Sequence, residues 1–305
     1  MPWPIEIVCR WATGMVIVLS VLFLLMEALP GDFADSIAGA DRERAARLRV
    51  QRGLDAPVLQ RLGSWWAGVL QGDLGTSLMN EQAVAPRVFS GLAATLVVAL
   101  PATILAALLA VAVSFLMAWL RGRRSGIRLA AGVAVIAGLP EVVLVILLVL
   151  LLAVTWRLVP AVSLISPGTP ILTRPQVLVL PILALAIPHA AWGARMLRGS
   201  ADDILAGDVV MSARRRGVPM GRIALSHVLP RWRGPIAQVT AYLAAGILGG
   251  SVVVESMLAY PGLGELLSGA VASRDIPTVQ GVGTVIVGVS LVLLTCADLL
   301  ARRAA

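Results

Sequence analysis

Six apolar runs, at 7–29, 92–120, 129–155, 176–197, 235–254 and 278–300, set the terms for any fold of this 305-residue chain. Each reaches the roughly 20 residues that a helix needs to cross a bilayer. Hydrocarbon offers no water to backbone N–H and C=O groups, so a spanning run folds as a helix, which satisfies them internally. The chain is 58% hydrophobic and 14% charged, whereas soluble domains carry about 25% charged residues. The expectation is an all-α polytopic membrane protein with six transmembrane helices. The first run lacks a small-residue cleavage site and is long enough to span, so it reads as a retained helix rather than a signal peptide. Pro101, Pro140, Pro181 and Pro188 lie in or near these runs. Neighbouring helices can satisfy the carbonyls that such prolines free, and the kinks let helices bend.

Arginine placement sets the expected orientation. The chain has no lysine, so its net charge of +8 rests on arginine. Segment 121–128 carries four arginines and no acid, and segment 198–233 carries seven against Asp202, Asp203 and Asp208. Arg302 and Arg303 follow the sixth run. Segment 31–91 instead balances seven arginines with seven acids. Positive loops stay on the cytoplasmic side, which places both termini and segment 208–230 there. Short arginine-rich loops between apolar runs are better explained by bilayer orientation than by nucleic-acid binding. The expected organisation is a first spanning helix over 1–30, an external region over 31–91, and a five-helix core over 92–305 with a cytoplasmic loop at 198–234. Within the external region, 41–52 reads as a charged helix ending at Gly53. Segment 64–70 reads as an apolar stretch lying on the membrane or packing on the spans, with Trp65 and Trp66 suited to the interface.

Several functions are excluded or disfavoured. Without lysine no GxxxxGK[ST] loop exists, so the chain cannot hold ATP phosphates that way. Cys9 and Cys296 sit at opposite ends of the chain and offer neither a disulfide framework nor a CxxC site. A membrane enzyme would need a nucleophile with its base, or clustered metal ligands, and only two histidines are present. A stand-alone secondary transporter or channel is the alternative transport reading. Such proteins often show inverted repeats and paired broken helices, neither of which the sequence displays.

The polar island DVVMSARRRGVPMGRIALSHVLP, 208–230, lies between two apolar runs. Asp208 is placed to cap a helix. Gly217 is placed to end that helix in the left-handed conformation. Pro219 would open a second short segment, and Leu229-Pro230 would stop it. A helix–turn–helix that projects from the bilayer suits a groove on a soluble partner, although an ordinary basic loop satisfies the same pattern. Charges at mid-bilayer are costly, so Glu141, midway along the third run, is a candidate for the translocation pathway and for attracting an amine or cation. A packed or protonated carboxylate is the other reading of Glu141. His189 is candidate polar lining or a transient metal contact. Glu255, at the end of the fifth run, joins them as a pathway candidate. Glu27 is expected to reach the interface, and Arg274 and Asp275 to pair locally.

The island resembles the EAA loop of binding-protein-dependent ABC import permeases, whose pattern is EAAxxxG, nine residues, then IxLP. Here Ala213, Gly217, Leu229 and Pro230 match, while Met211, Ser212 and His227 depart. The oligopeptide/dipeptide/nickel branch has a form similar to DYVxxARAKGL…RRHALRN, which DVVMSARRRGV…LSHVLPR follows. PGD at 30–32, GLDAPV at 53–58, GDLGTS at 72–77, the Arg195/Arg198 pair and VESMLAYPGLGELLSGAVASRDIPTVQG at 254–281 resemble that branch in order along nearly the whole chain. Phe33 stands where the branch has a second proline.

The resemblance implies a type I ABC importer permease fold in a bacterial inner membrane. It implies a second homologous permease subunit, two ABC ATPase subunits and an extracytoplasmic substrate-binding protein. The island would then be the ATPase-coupling element, carried by Asp208, Ala213, Arg214, Gly217, His227, Leu229 and Pro230. ATP and Mg would be bound by the ATPase subunits, with no cofactor, catalytic residue or resident metal on this chain. The cargo would be peptides, nickel or metal-chelate complexes.

Overall fold

A computed structural model describes residues 4–164 and 173–304, with side chains over 9–164 and 173–299. Among the described residues the structure is helical, with one isolated antiparallel bridge, Thr76–Ala83, and no longer strand. Among the described residues five helices are long and apolar enough to cross a membrane, or six if one bent pair counts as a span. The chain divides into two compact units, Met1–Thr95 with Pro261–Val289, and Leu96–Tyr260 with Ser290–Ala305.

The first unit begins with α1 (Pro4–Ala28). Leu19, Phe23 and Met26 are buried at helical spacing, while Ile17, Val21 and Leu25 on other faces are exposed. That is the pattern of a span with one packed stripe and a lipid-facing remainder. α2 (Phe33–Ala38) opens with a capping box between Asp32 and Asp35. α3 (Arg42–Arg52) is capped by Asp41 and closes at Gly53, whose φ of 65° suits glycine, so the charged helix stands where the sequence placed it. Arg49 of α3 reaches back to Asp32 at 2.6 Å and Asp35 at 2.5 Å. Burial works against the charged form of Asp32, but Arg49 and two backbone N–H groups outweigh it and hold the carboxyl below its usual range.

α4 (Val58–Leu70) packs on α1. Trp66 Nε1 donates to Ser20 Oγ at 3.2 Å, and Arg61 pairs with Glu27 at 2.5 Å. The apolar 64–70 stretch thus lies on a span, and Glu27 meets a cation there. α5 (Val84–Trp119) enters with Val84 and Val88 fully buried against Leu74, Leu263 and Val282. α12 (Leu263–Ala272) follows the Pro261-Gly262 turn, and α13 (Ile276–Ala304) contributes its residues up to Val289. Arg274 and Asp275 do not pair with each other as expected. Arg274 donates to the Pro30 carbonyl. Asp275, 2% exposed, accepts from Ser77 Oγ at 2.5 Å, Leu78 N at 3.0 Å and Thr278 Oγ1 at 2.7 Å. A buried carboxylate takes three donors in preference to one flexible guanidinium outside it.

The second unit is built around α8 (Val179–Ala206), which follows a short 3-10 turn at Pro175–Leu178. Ala184, Ala186, Ala190, Ala194 and Ala201 line its buried face. Small residues let helix backbones approach closely where lipid supplies little hydrophobic drive. A Cβ on Gly193 would lie 3.1 Å from Ala110 of α5 and 3.2 Å from Leu243 of α11 (Leu229–Leu258). Pro101 and Pro188 sit inside unbroken helices.

The third run is not one straight helix. α6 (Arg124–Gly138) stops at Leu139, and α7 (Glu141–Leu148) restarts after Pro140, continuing as a π turn over Val149–Thr155. The two halves meet at 104°. Leu139 is extended, as a residue before proline prefers, and Pro140 lacks the N–H that would continue the ladder. The third run, expected as one spanning helix, is therefore bent into two. Part of the loop expected between the third and fourth runs, 165–172, lies outside the described residues.

Candidate functional site

The bend in the third run changes the setting of Glu141. It lies not midway along a helix but in the first turn of α7, beside Pro140. There the helix N-terminus favours its negative charge. Its carboxylate lies against α11: a Cβ built on Gly250 would sit 2.4 Å from Glu141 Oε1. His189 of α8 occupies the neighbouring notch, with Nε2 3.0 Å from a Cβ built on Gly246. Gly246 and Gly250 are one helical turn apart, so together they open one face of α11 to both side chains. Sequence reasoning missed this pair, although the glycine-x-x-x-glycine spacing was visible.

His189 Nδ1 lies 2.8 Å from the Leu185 carbonyl. A carbonyl only accepts, so Nδ1 carries a proton there and Nε2 is left for a further partner. Glu141 Oε1 is 3.9 Å from Nδ1, a loose contact rather than a tight pair. Glu141, His189, Trp192, Tyr242 and Gly246 line a cleft of about 260 Å³. Tyr242 OH donates to Asp298 Oδ1 at 3.1 Å, fixing one wall. One carboxylate, one imidazole and two aromatic rings can hold an amine or cationic group, and the cleft shows no nucleophile-and-base arrangement. Among the described residues no group of three or more His, Cys, Asp or Glu is placed to hold a metal ion.

Glu255 does not join this cleft. It is fully buried near the end of α11, nine positions past Gly246. At about 100° per residue it therefore faces roughly the opposite side of the helix. Tyr260 beyond the helix end is also fully buried, and its N–H donates to the Glu255 carbonyl. Burial, then the Glu255 charge, pushes the Tyr260 phenol well above its ordinary range.

The island forms a compact cap on α8. Gly207 turns the chain into α9 (Asp208–Arg215). Asp208 does not act as the side-chain cap: it is the first helical residue, and Gly207 holds the cap position without a side chain. Its charge still complements the helix N-terminus, as Arg214 and Arg215 complement the last turn. Gly217 ends the turn at φ 75°, with Gly217 N donating to Arg214 O and Val218 N to Ala213 O. α10 (Met220–Ile223) then passes through a π turn, Ala224–Val228, directly into α11. Leu229-Pro230 therefore starts a helix rather than stopping one. Proline is tolerated in a first turn, and the adjoining π turn absorbs its missing N–H.

Within the cap, Val210, Ala213, Ile223 and Val228 are fully or almost fully buried. Trp232 Nε1 donates to Ser200 Oγ at 2.9 Å, tying α11 to α8. Ala213 thus shapes the surface from beneath and presents nothing outward. Asp208, Arg215, Arg216, Gly217, Leu229 and Pro230 are exposed. Arg214 is also exposed and lies over the Trp119 ring at 4.8 Å. His227 is half-buried, its Nδ1 2.7 Å from Ser226 Oγ. The result is a short braced helix with an arginine-rich outer face.

Residues 110–305 match the family of binding-protein-dependent transport system inner membrane components. A Brucella suis protein named as a peptide transport system permease is 33% identical over 273 residues, covering 88% of this chain and 86% of its own length. A Brucella abortus protein of the same description is 34% identical over 275 residues, 88% of this chain and 86% of that protein. The glutathione transport system permease protein of Salmonella choleraesuis is 34% identical over 272 residues, 87% of this chain and 85% of that protein. These matches set aside the stand-alone transporter and membrane-enzyme readings. The chain belongs to the binding-protein-dependent transport system inner membrane component family, as a multi-pass inner-membrane permease of the peptide/dipeptide group of ABC importers.

Proposed function

We propose that this permease pairs with a second, homologous permease and carries short peptides delivered by an extracytoplasmic binding protein. The cap at 208–230 faces the cytoplasm and engages one of two ATPase subunits. The observation that supports this most is the braced α9, whose buried Val210 and Ala213 fix it to the unit while Arg215 and Arg216 stay exposed. A rigid lever with an open polar face can pass a push from a neighbour into the long helices α8 and α11 at its two ends. The nucleotide state of the ATPase shifts the permease only by contacting its two conformations differently. Within the membrane, Glu141 and His189 line the pathway and receive the peptide ammonium group. Peptides are taken as cargo because the relatives' names carry peptide and glutathione.

The test is a cysteine at Met211, 40% exposed on α9, in a chain whose Cys9 and Cys296 are replaced by serine. Disulfide trapping to an engineered cysteine in the ATPase groove should be efficient and should change with ATP. No crosslink at any groove position would sink the coupling role. Peptide uptake in vesicles should require ATP and the binding protein. Uptake of nickel or a metal chelate in place of peptides would overturn the cargo class alone.

A further inference from the structure

The first unit contains a cavity of about 240 Å³ that transport does not call on. Its walls include Phe23 near the end of α1 and Ile276 and Gln280 at the start of α13. Both helices are candidate spans, and the cavity lies near the end of one and the start of the other. Trp65 of α4 lines it, packed edge-on against Trp66 with ring centroids 4.8 Å apart. Paired tryptophans belong at the headgroup level of a bilayer.

The polar groups of this wall are mostly donors. Gln280 is 1% exposed, and its Nε2 has no acceptor among the described residues. Trp65 Nε1 is buried without an acceptor as well. Arg52 and Arg61 add two guanidinium groups, paired with Glu81 at 2.7 Å and Glu27 at 2.5 Å. Each guanidinium has five N–H donors, so these pairings leave others over. In the adjoining smaller cavity, among the described residues, Arg274 Nη1 is a buried donor without a partner and Glu27 Oε1 a buried acceptor without one. Against these, Asp73 is the acid on the main wall, and its Oδ1 already accepts from Gly75 N. Buried donors normally find acceptors, and a cluster that lacks them is a place for a ligand that brings several.

We propose that this cavity seats the phosphate of a membrane phospholipid headgroup. The oxyanion brings acceptors for Trp65, Gln280 and the spare guanidinium N–H groups. The cavity is smaller than the roughly 300 Å³ at which pockets for drug-sized ligands begin, so it takes the headgroup and leaves the acyl chains outside. Exposed Val21, Leu24 and Leu25 on α1 give those chains an apolar surface to follow.

The experiment uses the full chain with its partner subunits, purified in detergent. Bound phosphorus and native mass spectrometry report retained lipid, and binding is titrated with dioleoylphosphatidylglycerol. The double variant Trp65→Phe/Gln280→Leu removes two donors while keeping an aromatic ring and an isostere of the amide, and should weaken lipid binding roughly tenfold or more. Arg52→Gln should weaken it in the same direction. Added lipid should raise the melting temperature of the unmodified protein and not that of the double variant. A wild-type protein that retains no lipid and gains nothing from the titration holds only water there, and the proposal fails. It fails equally if both variants bind the lipid as the wild type does. Displacement of the lipid by millimolar inorganic phosphate would overturn the lipid as the source of the phosphate.

Discussion

Replacing Gly250 with alanine separates the pathway role of Glu141 from its packing. The new Cβ would stand 2.4 Å from Glu141 Oε1, 2.8 Å from Oε2 and 3.0 Å from Cδ. Those contacts are too short to persist, so something moves by about 1 Å. The obstacle is the far end of a flexible side chain, and a rotamer adjustment costs about 0.5–1.5 kcal/mol. Alanine in a helix interior regains up to about 1 kcal/mol over glycine. The two effects nearly cancel, so the melting temperature in detergent should shift little. The carboxylate, however, is pushed out of its seat against α11. Loss of one contact between it and an ammonium group should slow peptide uptake in reconstituted vesicles by roughly tenfold or more. The ATPase rate without substrate should stay normal, because the cap is untouched. Full uptake of every peptide tested would refute the assignment of Glu141 to the pathway, and a large fall in melting temperature would refute the packing argument.

Gly281→Ala makes the opposite case: its Cβ would meet Val84 Cγ1 at 2.5 Å, and Val84 is fully buried and β-branched, so destabilisation of about 1–3 kcal/mol should appear as a lower melting temperature. Gly217→Pro forces φ from 75° to the proline value and removes the N–H that bonds Arg214 O, so ATP-driven uptake should collapse while membrane insertion survives. Asp275→Ala strands the Ser77, Leu78 and Thr278 donors and should cost about 3 kcal/mol, read by thermal melting in detergent. The Asp32 carboxyl is held below its ordinary 3.8 when folded, so its stabilisation is present above that pH and lost as pH falls through the folded value. Limited proteolysis at α2 and α3 should therefore quicken below about pH 4, and Arg49→Gln should abolish that pH dependence.

Length and polarity alone located the spans, the charged helix α3 and the cap at 208–230, because each rests on local rules: apolar length, Asp41 and Gly53 as caps, glycine at positive φ. The bend at Pro140 was not legible, since Pro101 and Pro188 occupy similar apolar surroundings without ending their helices. What distinguishes Pro140 is that Leu139 before it is extended, whereas the residues before Pro101 and Pro188 stay helical. The meeting of Glu141 and His189 on α11 was likewise invisible, because it joins positions distant in sequence. Their seats, Gly246 and Gly250, carried a spacing signal without a partner to read it against. The burial of Ala213 and Glu255 was not legible either, because it depends on how distant helices pack.

The π turn at Ala224–Val228 amounts to one extra residue absorbed within a continuous rod. It sets the angular phase of everything downstream. Deleting a single residue there would close the wide turn into an ordinary one and leave α11 in phase with α10. Deleting one from the regular turns that follow would instead swing the rest of the rod by about 100°, so Gly246 and Gly250 would turn away from His189 and Glu141, and a change near the lever's root would close two sockets several turns along the same shaft.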